Sequence, residues 1–128
     1  MRLLKLLISF LFAGVLFAQE PIFVFTPDHH GKVLRGYFRP RGSISFMDQY
    51  DGTVEMIEIP KIYEAVFTAR KAPFDTKCGS APRVVLTLTD GSKRHGCFGP
   101  ASLSFVGDTA TIPTVNSMLG KVVREKPQ

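Results

Sequence analysis

Arg35, Tyr37, Arg39 and Arg41 occupy every second position of one short stretch. Alternate side chains of an extended chain share a face. The spacing therefore lines three guanidiniums and a phenol along one side and sends Leu34 and Phe38 to the other. A guanidinium offers a planar fork of N–H donors that bonds carboxylate, phosphate or sulfate oxygens in pairs. The stripe is a candidate anion-binding face. The same alternation also describes an ordinary solvated sheet face, where exposed charge is normal.

Asp28-His29-His30 is a second polar cluster. Histidine and carboxylate side chains ligate zinc, copper or nickel. Adjacent residues of a strand point to opposite faces, so His29 and His30 form a metal site only with a ligand from elsewhere; His95 and Glu20 qualify by type. As a turn between two strands the cluster needs no metal. His95 and Cys97 share a strand face, as a Cys–His nucleophile pair would, but that chemistry requires a free thiol. Ser45, Ser80 and Ser102 lie in no G-x-S-x-G elbow. No carboxylate pair stands out for glycoside hydrolysis, and neither a phosphate-binding glycine loop nor a zincin motif is present. The sequence assigns no catalytic residue, no resident metal and no cofactor.

The state of the thiols depends on the compartment. Arg2 and Lys5 precede a nearly unbroken apolar run from Leu6 to Phe17, and Ala18 is a small residue ahead of Gln19. Positive, apolar and small in that order is the pattern of a secretory signal peptide, here residues 1–18. The run is shorter than the roughly 20 residues of a membrane span, which leaves no transmembrane anchor after cleavage. The expected location is periplasmic or secreted. There Cys78 and Cys97, the two cysteines of the chain, are expected to form a disulfide. Taking away Arg2 and Lys5 lowers the formal charge from +5 to +3. So mild a charge outside the cytoplasm argues against nucleic acid. It leaves an envelope protein, a lipid head group or an anionic polysaccharide as the partner of the basic stripe. A small periplasmic or secreted hydrolase, or a metal-dependent enzyme, is the alternative function.

The mature chain of about 110 residues fits one domain, residues 19–123, with 124–128 as a polar tail expected to fray. Short β-rich runs alternate with turn chemistry from Ile22 onward. They cover Ile22–Thr26, Val33–Arg39, Ser43–Met47, Thr53–Ile59 and, despite a mixed period, Ile62–Thr68. Arg83–Thr89 and Lys93–Phe98 read as a hairpin around Asp90-Gly91-Ser92, followed by Ser102–Val106 and Thr109–Ile112. A three-residue hairpin loop puts Gly96 and Phe98, rather than Lys93 and His95, on the apolar face of the hairpin. Val115, Met118, Leu119, Val122 and Val123 recur at helical spacing, with Thr114 as N-cap. Eight phenylalanines outside the leader fall mostly at inward positions and suit a core better than a ligand groove.

Ile57–Phe67, the run Val84-Val85-Leu86-Thr87-Leu88-Thr89-Asp90-Gly91 and Val115–Val123 together resemble the pleckstrin-homology-like barrels, in which short antiparallel strands are closed by a C-terminal helix. The resemblance implies a fold and carries over no functional residue. The expected class is α+β, mainly β: about seven antiparallel strands in a curled sheet or small barrel, with one C-terminal amphipathic helix. From the leader, protein recovered outside the cytoplasm is expected to begin near Gln19 by N-terminal sequencing. An exported soluble form that retains Met1 would contradict cleavage.

Overall fold

The structure is a computed structural model that describes residues 21–69, 77–99 and 103–126. The leader, Glu20, Phe74 and Ser102 lie outside the described residues. Ten strands form one antiparallel sheet: β1 (Phe23–Pro27), β2 (Leu34–Arg39), β3 (Ser43–Asp48), β4 (Val54–Glu58), β5 (Ile62–Thr68), β6 (Arg83–Leu88), β7 (Lys93–Phe98), β8 (Ser104–Gly107), β9 (Thr111–Ile112) and β10 (Gly120–Arg124). Their order across the sheet is β4-β3-β7-β6-β5-β10-β1-β2-β8-β9.

Chain connectivity forces this sheet to curl. β2 and β3 are six strand positions apart, which is about 29 Å in a flat sheet. Residues 40–42 are all that join them, and four Cα steps reach no more than about 14 Å. β7 and β8 are also six positions apart and are joined by residues 99–103. The result is a half-barrel whose concave face is the core. Phe38 on β2 meets Phe98 on β7 across the interior, with ring centroids 6.3 Å apart. Phe98 also packs on Phe46 and Phe67, while Phe38 packs on Phe23 and Phe105.

Two inward glycines serve the curl. A Cβ on Gly96 of β7 would lie 1.8 Å from the Met47 carbonyl oxygen of β3. One on Gly36 of β2 would lie 1.9 Å from the Val106 carbonyl oxygen of β8. The neighbouring backbone fills the space that a side chain would need, as happens where a strand bends sharply.

The expected C-terminal helix is absent, and the strands number ten rather than about seven. Val115–Ser117 is a single 3-10 turn, and the chain then enters β10. Thr114 caps that turn, its hydroxyl accepting the Asn116 N–H. Val115 and Met118 are buried by the turn, Gly120 and Val122 by the alternation of a strand. Joined end to end, the two patterns imitate the spacing of a helix. Gly120 decides against one: its φ is +145°, and a Cβ there would lie 2.3 Å from the Thr26 carbonyl oxygen. β-branched Val122 and Val123 favour the strand as well. One of the three segments behind the pleckstrin-homology resemblance is therefore turn and strand. β10 runs between β1 and β5 as far as Arg124, and the Glu125 N–H still donates to the Ile22 carbonyl at 2.8 Å.

Besides Val115–Ser117, the 3-10 turn Ile59–Lys61 is the remaining helical piece among the described residues. The hairpin of β6 and β7 carries the three-residue loop Thr89-Asp90-Gly91, since Leu88 donates to the Ser92 carbonyl and Thr87 pairs with Lys93. Gly96 and Phe98 accordingly face the core. Cys78 and Cys97 are joined, with Cα atoms 5.9 Å apart, inside the roughly 7 Å that a disulfide allows. The bridge ties the turn at 77–80 to the outer face of β7. Closing a loop of this length is worth roughly 3 kcal/mol through the unfolded chain.

Gly96→Ala is expected to lower stability by about 1–3 kcal/mol or more, because the added methyl meets backbone that cannot move independently. His95→Ala, at the exposed neighbouring position, should stay within about 0.5 kcal/mol of the parent. Urea unfolding followed by circular dichroism measures both, and equal effects would contradict the packing role of Gly96.

Candidate functional site

The basic stripe divides into two parts. β2 holds Leu34, Gly36 and Phe38 inward, so Arg35, Tyr37 and Arg39 project outward. Arg35 is engaged: its Nε lies 2.8 and 2.9 Å from the two Glu125 carboxylate oxygens, and Nη2 lies 2.7 Å from Oε2. The bonds from Arg35 hold the Glu125 carboxyl below the usual carboxylate range. This pair spans β1 to join β2 to the end of β10. Both side chains are solvated, so water and salt screen the pair.

Tyr37, Arg39 and Arg41 form the second part. Arg39 Nη2 donates to Tyr37 Oη at 3.3 Å, and the two guanidinium carbons lie 6.0 Å (Arg39) and 5.0 Å (Arg41) from the ring centroid. A cation at that distance from an aromatic ring is attracted to it. The ring thus orders two long side chains that would otherwise sample many rotamers. Among the described residues, neither Arg39 nor Arg41 has a carboxylate partner. The donated bond from Arg39, aided by the positive charge of both arginines, holds the Tyr37 phenol below its ordinary range. Chemically, the cluster is a preassembled pair of fork donors beside a flat apolar ring.

Two hollows border β3, and both are lined in part by Ser45 and Gly99. The larger, about 650 Å³, lies under the disulfide turn and is lined by Met47, Val54, Lys77, Ser80 and Asn116 among others. The smaller, about 240 Å³, is lined by Pro40, Ser43, Ile44, Met56 and Leu103 as well as the shared pair. Val54 and Met56 beside them are 56% and 64% exposed. A third hollow, about 200 Å³, lies beside the Arg94–Glu55 ion pair, whose nitrogen and oxygen are 2.9 Å apart. Its Asp48 already accepts the Tyr50 and Asp51 backbone N–H groups and serves the turn.

His29 and His30 are both exposed in the turn after β1. His95 is exposed on β7, with β6, β5 and β10 between that strand and β1. Among the described residues, no three His, Cys, Asp or Glu side chains gather as metal ligands. Cys97 is spent in the bridge and cannot serve His95 as a nucleophile. Residue types at local spacing point to Tyr37, Arg39 and Arg41, but not to the smaller hollow. Its walls come from 40–45, 56, 99 and 103, and the one local signal is Met56 on the face opposite Ile57 and Ile59. No helix among the described residues is long and apolar enough to cross a membrane.

No protein-family model matches the chain, and no curated protein or solved structure matches it either.

The depressed Tyr37 pKa has a definite sign. The folded protein binds the phenolic proton less tightly than the unfolded chain, whose tyrosines titrate near pH ~10. The resulting stabilisation is complete above that pH and is lost as pH falls through the folded value. An ultraviolet difference titration is expected to show an early tyrosine transition, below that of ordinary phenol, from Tyr37. Arg39→Ala should move that early transition back toward ordinary phenol, and an unchanged titration would contradict the contact.

Proposed function

We propose that this chain is an exported, non-catalytic binding domain that recognises an anionic group through Tyr37, Arg39 and Arg41. The observation that carries this reading is the pair of guanidiniums ordered on one ring and lacking a carboxylate partner among the described residues. Arg35 and Arg94 show the contrast, because each is neutralised by a glutamate. A charge-assisted, bidentate contact is the strong form of hydrogen bond to carboxylate, sulfate or phosphate. Ordering the donors in advance reduces the entropy lost when a ligand binds. Arg35 stands at the end of the cluster, bonded to Glu125, and adds no net charge to it.

The leader pattern and the disulfide together support an oxidising compartment outside the cytoplasm, the periplasm or the extracellular space. In that setting the anionic group belongs to an envelope protein, a lipid head group or an anionic polysaccharide.

Arg39→Ala combined with Arg41→Ala is expected to weaken binding of inorganic phosphate, or of a sulfated polysaccharide, at least tenfold and to flatten its salt dependence. Stability should change by no more than about 0.5 kcal/mol, since both side chains are solvated. Isothermal titration calorimetry at two ionic strengths reads the first, and thermal unfolding the second. Unchanged affinity in the double variant would reject the cluster as the site.

A further inference from the structure

We propose that the ligand is an anionic amphiphile with a single apolar chain, whose head lies on Arg39 and Arg41 and whose chain enters the smaller hollow beside them. This rests on the anion-binding reading above and adds the class of molecule. The motivating juxtaposition is covalent. Pro40 forms part of the wall of the hollow, and the two guanidiniums belong to the residues immediately before and after it. Each fork is one arginine side chain away from the backbone that flanks that wall, so a chain of several methylenes reaches from the forks to the hollow.

The hollow is suited to hydrocarbon. Pro40, Ile44, Met56 and Leu103 supply its apolar surface, and no titratable side chain among the described residues lines it. Ser43 and Ser45 are its polar side chains. A mostly apolar hollow rewards methylenes removed from water. Its volume of about 240 Å³ falls below the roughly 300–1,000 Å³ of sites for drug-sized ligands. It therefore holds one short chain or the first part of a longer one, and the head remains outside. Met56 on the free side of β4 is flexible and polarizable, so it adapts to chains of different shape. Charge selects the head, and the hollow selects a tail.

The test measures chain length against charge in the folded, oxidised protein. The probes are inorganic phosphate, n-butyl phosphate and n-octyl phosphate, each below any micellar concentration, titrated by calorimetry. A fully buried methylene is worth about a fourfold gain in affinity. Octyl phosphate is expected to bind at least tenfold more tightly than butyl phosphate. Two variants at exposed rim positions, Ser43→Phe and Met56→Asp, should each abolish that gain while leaving inorganic phosphate binding intact; two are used so that poor folding of one does not remove the test. Equal affinity for butyl and octyl phosphate, with phosphate binding retained, would overturn the amphiphile and leave the anion site standing. A chain-length gain that survives both variants would place the tail elsewhere and overturn it too. Octyl phosphate binding that is undiminished in the Arg39→Ala, Arg41→Ala protein would reject the anion site, and this inference with it.

Discussion

Phe38 and Phe98 touch across the interior although their strands lie five positions apart in the sheet. A sheet with one apolar face has two ways to hide it: against another layer, or against itself. No helix of more than three residues is available among the described residues to supply a second layer. The chain therefore curls until its own phenylalanines meet, and the two crossings at 40–42 and 99–103 are short enough to require it. Inward glycines at 36 and 96 allow the neighbouring backbones to approach where the curvature demands it. Burial of the rings supplies the driving force, since each aromatic side chain removes a large apolar area from water. The Cys78–Cys97 bridge acts on the other side of the sheet, holding the 77–80 turn against β7.

The curl also creates the candidate site. Because β2 hands the chain directly to β3 across the open side, residues 39–41 lie at the corner where two crossings pass. That corner brings Pro40 to Ile44, Met56 and Leu103, and it leaves Arg39 and Arg41 to stack on Tyr37. A closed barrel would have no strand edges. The open architecture instead leaves β4 and β9 as edges, with Val54 and Met56 on the exposed side of β4.

Charge is distributed unevenly over this surface, and the difference is physical rather than numerical. Arg35 and Arg94 each face a glutamate brought from a distant strand, and their fork donors are occupied. Arg39 and Arg41 face a phenol, which orders them without neutralising them. A phenol hydroxyl accepts a hydrogen bond while the neutral ring leaves both positive charges available to an incoming anion. Tyr37 thereby plays the part that a carboxylate plays for the other two arginines, with the opposite consequence for binding.

The sequence by itself determined the strands from β1 to β9, most turns and the outward face of β2. Alternation and turn residues act over a few positions, so Leu34 to Arg39 and the Asp90-Gly91 hairpin were legible without any partner. The disulfide was legible too, from two cysteines and an export pattern. Period was ambiguous in β5, which still reads as a strand, and failed at 115–123. In β5 the register shift between Ile62 and Glu64 puts Ile62, Ala65 and Phe67 inward, a spacing that mixes helix with strand. At 115–123 a 3-10 turn abuts a strand, and the pairing of β10 with β1 and β5 replaces the helix. Which arginines would be neutralised was decided by tertiary structure, because Glu125 lies 90 residues from Arg35 along the chain. The hollow beside Arg39 and Arg41 was decided the same way: its walls come from segments far apart in sequence, and only a sheet that must bury its own face brings them to one corner.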